Sequence, residues 1–248
     1  MARWRWGQTA LDIVAEVRPN LAALIPHLPA ADLALYIYPS AADLRAALRL
    51  TGRDWVGAHA HPELGVLLVT AVNSRTAASD LRQSIPHELV HFYLYQLLGP
   101  AYDSLPMWFN EGLASLAEPT PHPNYGRLLA AAVADQTTIP FSQLCERFPA
   151  DEETAVLAYA QSLSLLTFIQ DRYGNAGVQN LIAAFATGGD CHSGVEQALG
   201  LTLVELEESW LQSQQIRSPW SQFFFDNGFW LLLLVGGFII AGLLVIKI

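Results

Sequence analysis

The sequence predicts an α+β protein, with a small mixed sheet near the N-terminus followed by a chain that is almost entirely helical. Three short segments, 32–38, 55–60 and 65–70, carry the β-branched and aromatic residues expected of strands. From residue 76 onward, apolar residues recur with helical spacing between Gly and Pro interruptions. A length of 248 residues allows one good-sized core or two small lobes.

The elements follow in a clear order. Residues 8–25 have helical apolar spacing (Leu11, Val14, Val17, Leu21 and Leu24), which Pro19 is expected to break. The three strands come next. Helices are then predicted over 76–98, 107–118, 125–135, 151–173, 176–186 and 202–216. The sheet and the first of these helices would form one lobe, about 1–100, and the remaining helices a second, about 101–217.

Residues 87–91 are His-Glu-Leu-Val-His, which matches the H-E-x-x-H pattern of metallopeptidases. Residues four apart lie on one face of an α-helix, so His87 and His91 can direct two imidazole nitrogens at one metal ion. Glu88 lies at the flank of that face. Pro86 lacks an amide donor, so the helix either begins near Ser84 or kinks just before the ligands.

A second short motif, Asn110-Glu111-Gly112, places a glutamate twenty residues after His91. Its helix is apolar, and a carboxylate there is rarely buried unless it is paired or bound to a metal. Two histidines, one glutamate and an open position form an established catalytic zinc site. The sequence therefore predicts one Zn²⁺ per chain, held by His87, His91 and Glu111. Glu88 would be the general base that accepts the proton of the zinc-activated water.

With these two motifs the chain resembles the gluzincin zinc metallopeptidases, the thermolysin-like group with two histidines and a glutamate on zinc. More narrowly, it resembles the compact peptidase MA-like domains. The resemblance covers most of residues 1–217 and includes the order of the strands before the active-site helix. Residues 159–163 with 172–174 are similar to a recurrent second helix. Residues 195–202, with Glu205 and Trp210, resemble the closing helix pair.

The resemblance implies the same ligands and the same base as the motif chemistry. Gluzincins usually add a Tyr or His that hydrogen-bonds the oxyanion, and Tyr159 is the candidate because it opens the helix expected to face the cleft. The alternative is a core tyrosine with a satisfied hydroxyl. Asn110 would either support the site from outside the ligand shell or serve as an ordinary helix N-terminal residue.

Composition restricts the remaining function classes. A formal net charge of −10 argues against nucleic-acid binding, which normally requires a basic stripe, and it is compatible with an acidic cleft that favours basic peptides. Cys145 and Cys191 lack metal-binding spacing; reduced, partly buried thiols are the simplest expectation, and a single bridge between them is the alternative. His59 and His61 have no carboxylate partners in the sequence and are expected to be surface imidazoles.

The C-terminal segment differs from the rest of the chain. Residues 229–246 carry no charge, and as a helix they would extend roughly 27 Å, close to the hydrocarbon thickness of a bilayer. Aromatic residues crowd the front edge of this segment, as in an interfacial belt. We predict a single transmembrane helix over 229–246, with a juxtamembrane linker over 218–228. No signal peptide is recognisable at the N-terminus, which favours a catalytic domain that faces the cytoplasm.

The sequence thus predicts a membrane-anchored zinc peptidase acting on a peptide or protein substrate, with its catalytic domain over 1–217. An extended peptide would add itself to an exposed sheet edge in the cleft between the two lobes. One alternative is a catalytically silent domain that binds peptides or a membrane partner. An intact Glu88 argues against it, because a binding domain needs no base. The other alternative is a zinc hydrolase of a non-peptide substrate.

Overall fold

A computed structural model of the protein describes residues 2–29, 32–48, 57–72 and 75–216. Residues 1–207 form one compact unit, and 208–248 form a second, of which 208–216 are described. Within the described residues the fold is α+β, as predicted, with a small sheet and mostly helices. The predicted linker and transmembrane helix, 218–228 and 229–246, lie outside the described residues. No helix among the described residues has the length and apolar character needed to cross a membrane.

The sheet has three strands in the order β1–β3–β2: β1 is Ala34–Tyr38, β2 is Ala58–His61 and β3 is Val66–Thr70. β1 pairs with β3 in parallel, and β2 pairs with β3 antiparallel, so the sheet is mixed as expected. Leu67, Leu68 and Val69 of the central strand are buried. β2 is therefore an edge strand, and among the described residues its outer side has no strand partner.

Helix α1 (Ala2–Leu24) precedes the sheet and packs on α3, and α2 (Ala41–Leu48) follows β1. The expected break at Pro19 is wrong, because α1 continues through that residue. The predicted buried face is also partly wrong: Leu11 is 65% exposed, whereas Ile13 is fully buried. Leu21 and Leu24 of the predicted stripe are buried, so the prediction fails at Leu11 and omits Ile13.

Helix α3 (Ala77–Leu98) crosses the middle of the unit, in contact with β2, β3, α1 and α4. It begins at Ala77, so the alternative in which it begins near Ser84 is wrong, and the helix runs through Pro86. Its central residues are almost all buried, including Leu89, Val90 and Leu94. A helix enclosed in this way holds its histidines rigidly.

Helix α4 (Met107–Leu116) packs closely against α6 (Glu152–Ala186). The close approach depends on Gly112. A Cβ atom there would lie 2.8 Å from the carbonyl oxygen of Ser162 and 2.8 Å from Cδ2 of Leu166. The glycine beside Glu111 is thus explained by helix packing.

α5 (Tyr125–Ala134), which packs on α6, and α8 (Leu203–Ile216) lie where the sequence predicted helices. α7 (Ser193–Leu199) was not among the helices predicted from the pattern; only the resemblance over 195–202 indicated it. α6 contains a residue with non-helical backbone angles, Gly174, at φ 67°. The sequence predicted two helices here, 151–173 and 176–186, and Gly174 lies between them.

A disulfide joins Cys145 and Cys191, whose Cα atoms are 5.8 Å apart. The expectation of two reduced thiols is therefore wrong, and the alternative of a single bridge is confirmed. The cysteines are 46 residues apart, one before α6 and one after it, so the tertiary fold brings them together. The bridge lies beside the start of α4: the amide of Met107 donates to the carbonyl oxygen of Cys145 at 2.7 Å. The indole of Trp108 donates to Sγ of Cys191 at 3.3 Å.

Candidate metal centre

Three potential metal ligands from two helices meet at one point. α3 carries His87 and His91 one turn apart, and α4 brings Glu111 opposite them. Oε2 of Glu111 lies 3.4 Å from Nε2 of His87 and 3.8 Å from Nε2 of His91. Ligands of a tetrahedral zinc ion, each about 2.1 Å from the metal, would be roughly 3.4 Å apart. The three side chains therefore have the spacing of ligands around one metal ion.

Burial of the glutamate supports the same interpretation. Oε2 of Glu111 is buried and has no hydrogen-bond partner. Buried polar atoms normally have a partner, and a buried carboxylate oxygen without one is costly. A cation between Glu111 and the two imidazoles would satisfy this oxygen, so the residues fit a metal ion. Among the described residues, these three are the one group of His, Cys, Asp or Glu close enough to hold a metal.

A carboxylate outside the ligand group orients His87. Nδ1 of His87 lies 2.7 Å from Oε1 of Glu118, just beyond the end of α4. Gln83, one turn before His87, donates from Nε2 to the other carboxylate oxygen of Glu118 and to the carbonyl of Thr120 at 2.8 Å. Because Glu118 accepts the Nδ1 proton, the neutral ring keeps the lone pair on Nε2, the atom that faces Glu111.

His91 is oriented by an amide. Its Nδ1 lies 3.0 Å from Oδ1 of Asn110, whose Nδ2 donates to the hydroxyl of Tyr102 at 3.3 Å. The lone pair of His91 therefore also lies on Nε2, toward the metal position. Asn110 is inside α4, which begins at Met107, so it does not cap the helix. Its contact is the one expected of a residue that supports a ligand from outside.

The charges of the centre are strongly coupled. Burial lowers the pKa of His87, but the carboxylates of Glu111 and Glu118 outweigh burial and raise that pKa well above its ordinary value. Burial acts to raise the pKa of Glu111, yet the charges of His91 and His87 hold it below its ordinary value. The carboxylates of Glu88, Glu111 and Glu118 thus surround the two imidazoles. A divalent cation would neutralise this excess of negative charge.

Glu88 lies on the same helix face, beside the centre, and is only 7% exposed. Burial raises the pKa of its carboxyl, against the opposing charges of His87 and His91 and a backbone hydrogen bond from Ala60. The contact with Ala60 places this carboxylate between the two histidines and the edge strand β2. A buried carboxylate with a raised pKa has the property required of a general base that works near neutral pH.

Tyr159, on α6, faces the same centre. Its hydroxyl forms a side-chain hydrogen bond with Glu111, and its ring packs edge-on against Phe148 at 4.9 Å between centroids. It is therefore partnered at both its apolar and its polar end. The catalytic role predicted for it stays a prediction, but the residue lies within reach of the centre.

All five predicted site residues line one cavity of about 780 Å³. Its walls come from β2, α3, α4 and the start of α6. Two further tyrosines, Tyr102 and Tyr125, are partly buried there, and burial raises the pKa of Tyr102 to about 12. His59 is also half-buried and lines this cavity, so the expectation of a surface imidazole is wrong for that residue. Burial lowers the pKa of His59.

The sequence did not identify Glu118 or Tyr102. A signal for Glu118 was present, because it lies seven residues after Glu111, two helical turns along the same face. Tyr102 lies in a 3-10 helix, Gly99–Ser104, that has no periodic pattern. Nothing in the sequence placed it beside Asn110.

Comparisons with known proteins agree with this geometry. The family model described as Peptidase MA superfamily matches residues 16–215, most of the chain. No curated protein and no solved structure gave a match. The matched region contains both short motifs, the edge strand and every residue that lines the cavity. The family match indicates a peptidase-like fold, and the structure adds a His-His-Glu group that could hold a metal. The chain belongs to the Peptidase MA superfamily.

Proposed function

We propose that this protein is a zinc-dependent peptidase that hydrolyses peptide bonds, with Glu88 as its general base. The observation that carries the proposal is the buried, unpartnered Oε2 of Glu111 opposite the Nε2 atoms of His87 and His91. The donor set of two imidazole nitrogens and one carboxylate oxygen suits zinc. Membership of the peptidase superfamily supports the reaction class.

His87, His91 and Glu111 would hold the metal. A bound zinc ion supplies Lewis acidity, which polarises a carbonyl group and lowers the pKa of water. Glu118 and Asn110 fix the two imidazole rings through their Nδ1 atoms, so the Nε2 atoms need no reorientation. A preorganised centre of this kind loses little free energy in ordering its ligands.

Glu88 would move the proton. Its carboxylate would accept a proton from the attacking water and then transfer it to the amine that leaves. Burial favours this exchange because it raises the pKa of the carboxyl toward the working pH. In the role proposed for it, Tyr159 would donate a hydrogen bond from its hydroxyl to the oxyanion of the substrate.

The edge strand offers a binding surface for an extended peptide. The amide of Thr70 donates to the carbonyl of Gly57 at 3.0 Å, so in the alternating antiparallel pattern the main-chain groups of Ala58 and Ala60 face away from β3. Both alanines line the cavity. A substrate strand would pair with the main-chain groups of Ala58 and with the carbonyl of Ala60, because the amide of Ala60 already bonds the carboxylate of Glu88. Such pairing selects for an extended peptide more than for particular side chains.

A peptide library tests this proposal directly. The full chain in detergent, loaded with zinc, would be incubated with a mixed peptide library and the products read by mass spectrometry. We expect cleavage by the native chain and none by Glu88→Gln, which should keep its zinc. Glu111→Ala should lose or weaken zinc binding while the fold survives. Cleavage by Glu88→Gln equal to the native chain would remove Glu88 from the mechanism. Zinc binding without any cleavage would favour a silent binding domain or a non-peptide substrate.

The membrane anchor over 229–246 remains part of the proposal, supported by its charge-free sequence. A catalytic domain that faces the cytoplasm was the expectation for its orientation, whereas the bond between Cys145 and Cys191 favours an oxidising compartment, where disulfides persist. Alkylation of intact cells with a thiol reagent, before and after reduction, decides between them. Labelling without reduction would indicate free thiols and a cytoplasmic domain.

A further inference from the structure

Apart from its histidines, the ionisable side chains that line the cavity of the candidate metal centre are carboxylates and tyrosines. Neither Arg nor Lys is among the described residues that line it. Six carboxylates line the cavity: Glu88, Asp103, Glu111, Glu118, Glu146 and Glu152. Clefts that carry one sign of charge between low-dielectric walls concentrate the opposite charge.

Half of these carboxylates are not needed for the chemistry proposed above. Asp103 is in the 3-10 helix before α4, Glu146 directly follows Cys145, and Glu152 is the first residue of α6. All three are exposed, and none forms an ion pair with another described residue. We call these three residues the acidic rim. Glu152 interacts favourably with the dipole of α6, because it lies in the first turn of that helix. Asp103 and Glu146 are not in the first turn of an α-helix.

Exposed carboxylates alone do not make a binding site. Here the ligand-binding character of the cavity rests on a separate observation, the buried and unpartnered oxygen of Glu111 at its base. The outer side of β2, which has no strand partner in the described part of the chain, forms another part of its wall. The acidic rim therefore surrounds a cavity with its own reasons to hold a ligand.

We propose that the acidic rim makes this protein select peptides with cationic side chains, Arg or Lys. The proposal rests on the proposed peptidase function, since it names the substrate class of that same cavity. A backbone strand on β2 would give little side-chain preference. The carboxylates of Asp103, Glu146 and Glu152 would supply it by attracting positive charge from three different elements around the opening.

Binding without turnover tests the proposal. The full chain carrying Glu88→Gln, loaded with zinc, would be titrated against fluorescent decapeptides that differ only in three positions, occupied by Arg, Gln or Glu. Fluorescence anisotropy gives each Kd. A rim variant, Asp103→Asn with Glu146→Gln and Glu152→Gln, would be compared with a control variant, Asp135→Asn with Glu153→Gln and Asp171→Asn. The control residues are exposed and outside the cavity.

The two triple variants change the net charge equally, so a difference between them reports the position of the charges. We expect the Arg peptide to bind the parent about tenfold more tightly than the Gln peptide at low salt. The preference should disappear in the rim variant and persist in the control variant. It should also shrink between 20 and 300 mM salt, as the Debye length falls from about 20 Å to about 6 Å.

Two results would overturn the proposal. One is equal binding of the Arg and Gln peptides by the parent, and the other is an equal loss of preference in the rim and control variants. Cleavage of the same peptides by the native chain, followed separately, tests the peptidase function. Selective binding of the Arg peptide without cleavage would contradict the peptidase function but support charge selection by the acidic rim. Cleavage without a charge preference would support the peptidase function and contradict the role of the acidic rim.

Discussion

Replacement of Gly112 by alanine is the sharpest test of how this fold positions its metal ligands. Gly112 follows Glu111 on α4, on the side that meets α6. An added Cβ would lie 2.8 Å from the carbonyl oxygen of Ser162 and 2.8 Å from Cδ2 of Leu166, whereas ordinary contacts begin at 3.4 Å. The leucine side chain can rotate away, but the carbonyl oxygen belongs to the backbone of α6. The two helices must therefore separate by roughly half an ångström.

The expected size of the effect follows from two opposing contributions. Overpacking of a tight contact typically costs about 1–3 kcal/mol, and contact with backbone puts this case near the upper end. Alanine in place of glycine inside a helix returns about 1 kcal/mol. The net loss should be about 2 kcal/mol, or a fall in Tm of roughly 4–8 °C for a unit of this size. The displacement of Glu111 should also weaken zinc binding about tenfold.

Differential scanning fluorimetry and competition with a fluorescent zinc chelator would measure both effects. Gly126→Ala is the matched control. Gly126 is exposed on α5 and has nothing within 4 Å of the position of a Cβ atom, so the same substitution there should raise Tm slightly. If Gly112→Ala were as stable as the parent and bound zinc as tightly, the contact between α4 and α6 would not position Glu111.

Three further changes test other parts of the site. Glu118→Gln removes the charge that orients His87 and should weaken zinc binding about 10–100-fold in the same competition assay; unchanged affinity would show that this contact is incidental. Tyr159→Phe should lower kcat about 10²–10³-fold with zinc content unchanged, and an unaltered kcat would exclude it as an oxyanion donor. Replacement of Cys145 and Cys191 by serine releases a loop closed by a separation of 46 residues, which predicts a loss of up to about 4 kcal/mol. Thermal unfolding measures this loss, and an unchanged Tm would show that the bridge is not stabilising.

The parts of the fold that the sequence predicted are those with strong local signals. The strands and the helices from α3 onward have clear periodicity or composition, and the break near Gly174 was marked by glycine itself. The N-terminal helix was less well predicted. Pro19 and the stripe beginning at Leu11 are local signals, but the packing of α1 on α3 decides which face is buried. Tertiary contacts outweighed local pattern there.

The disulfide illustrates a different limit. Nothing in the residues around Cys145 or Cys191 distinguishes a bonded pair from two buried thiols. Their proximity depends on the path of the chain through α6, including the break at Gly174, and no short motif around either cysteine encodes that path. The metal ligands are the opposite case, because the helical repeat alone places His87 and His91 on one face.

The residues that orient the two histidines depend on tertiary structure, although the histidines themselves follow from the helical repeat. Each histidine is held by a residue from α4 or its end: Asn110 lies next to Glu111, and Glu118 lies two turns beyond it. Helix α4 thus supplies the third ligand and Asn110, and the residues just beyond its end supply Glu118, so both orienting residues depend on the position of this helix. A change in the position of α4 would therefore disturb all three ligands together, rather than Glu111 alone. The disulfide, next to Met107 at the start of α4, and Gly112, at its contact with α6, lie at the two points that fix this helix. The spacing of the three candidate ligands therefore depends on the whole of α4 and on the contacts that hold it.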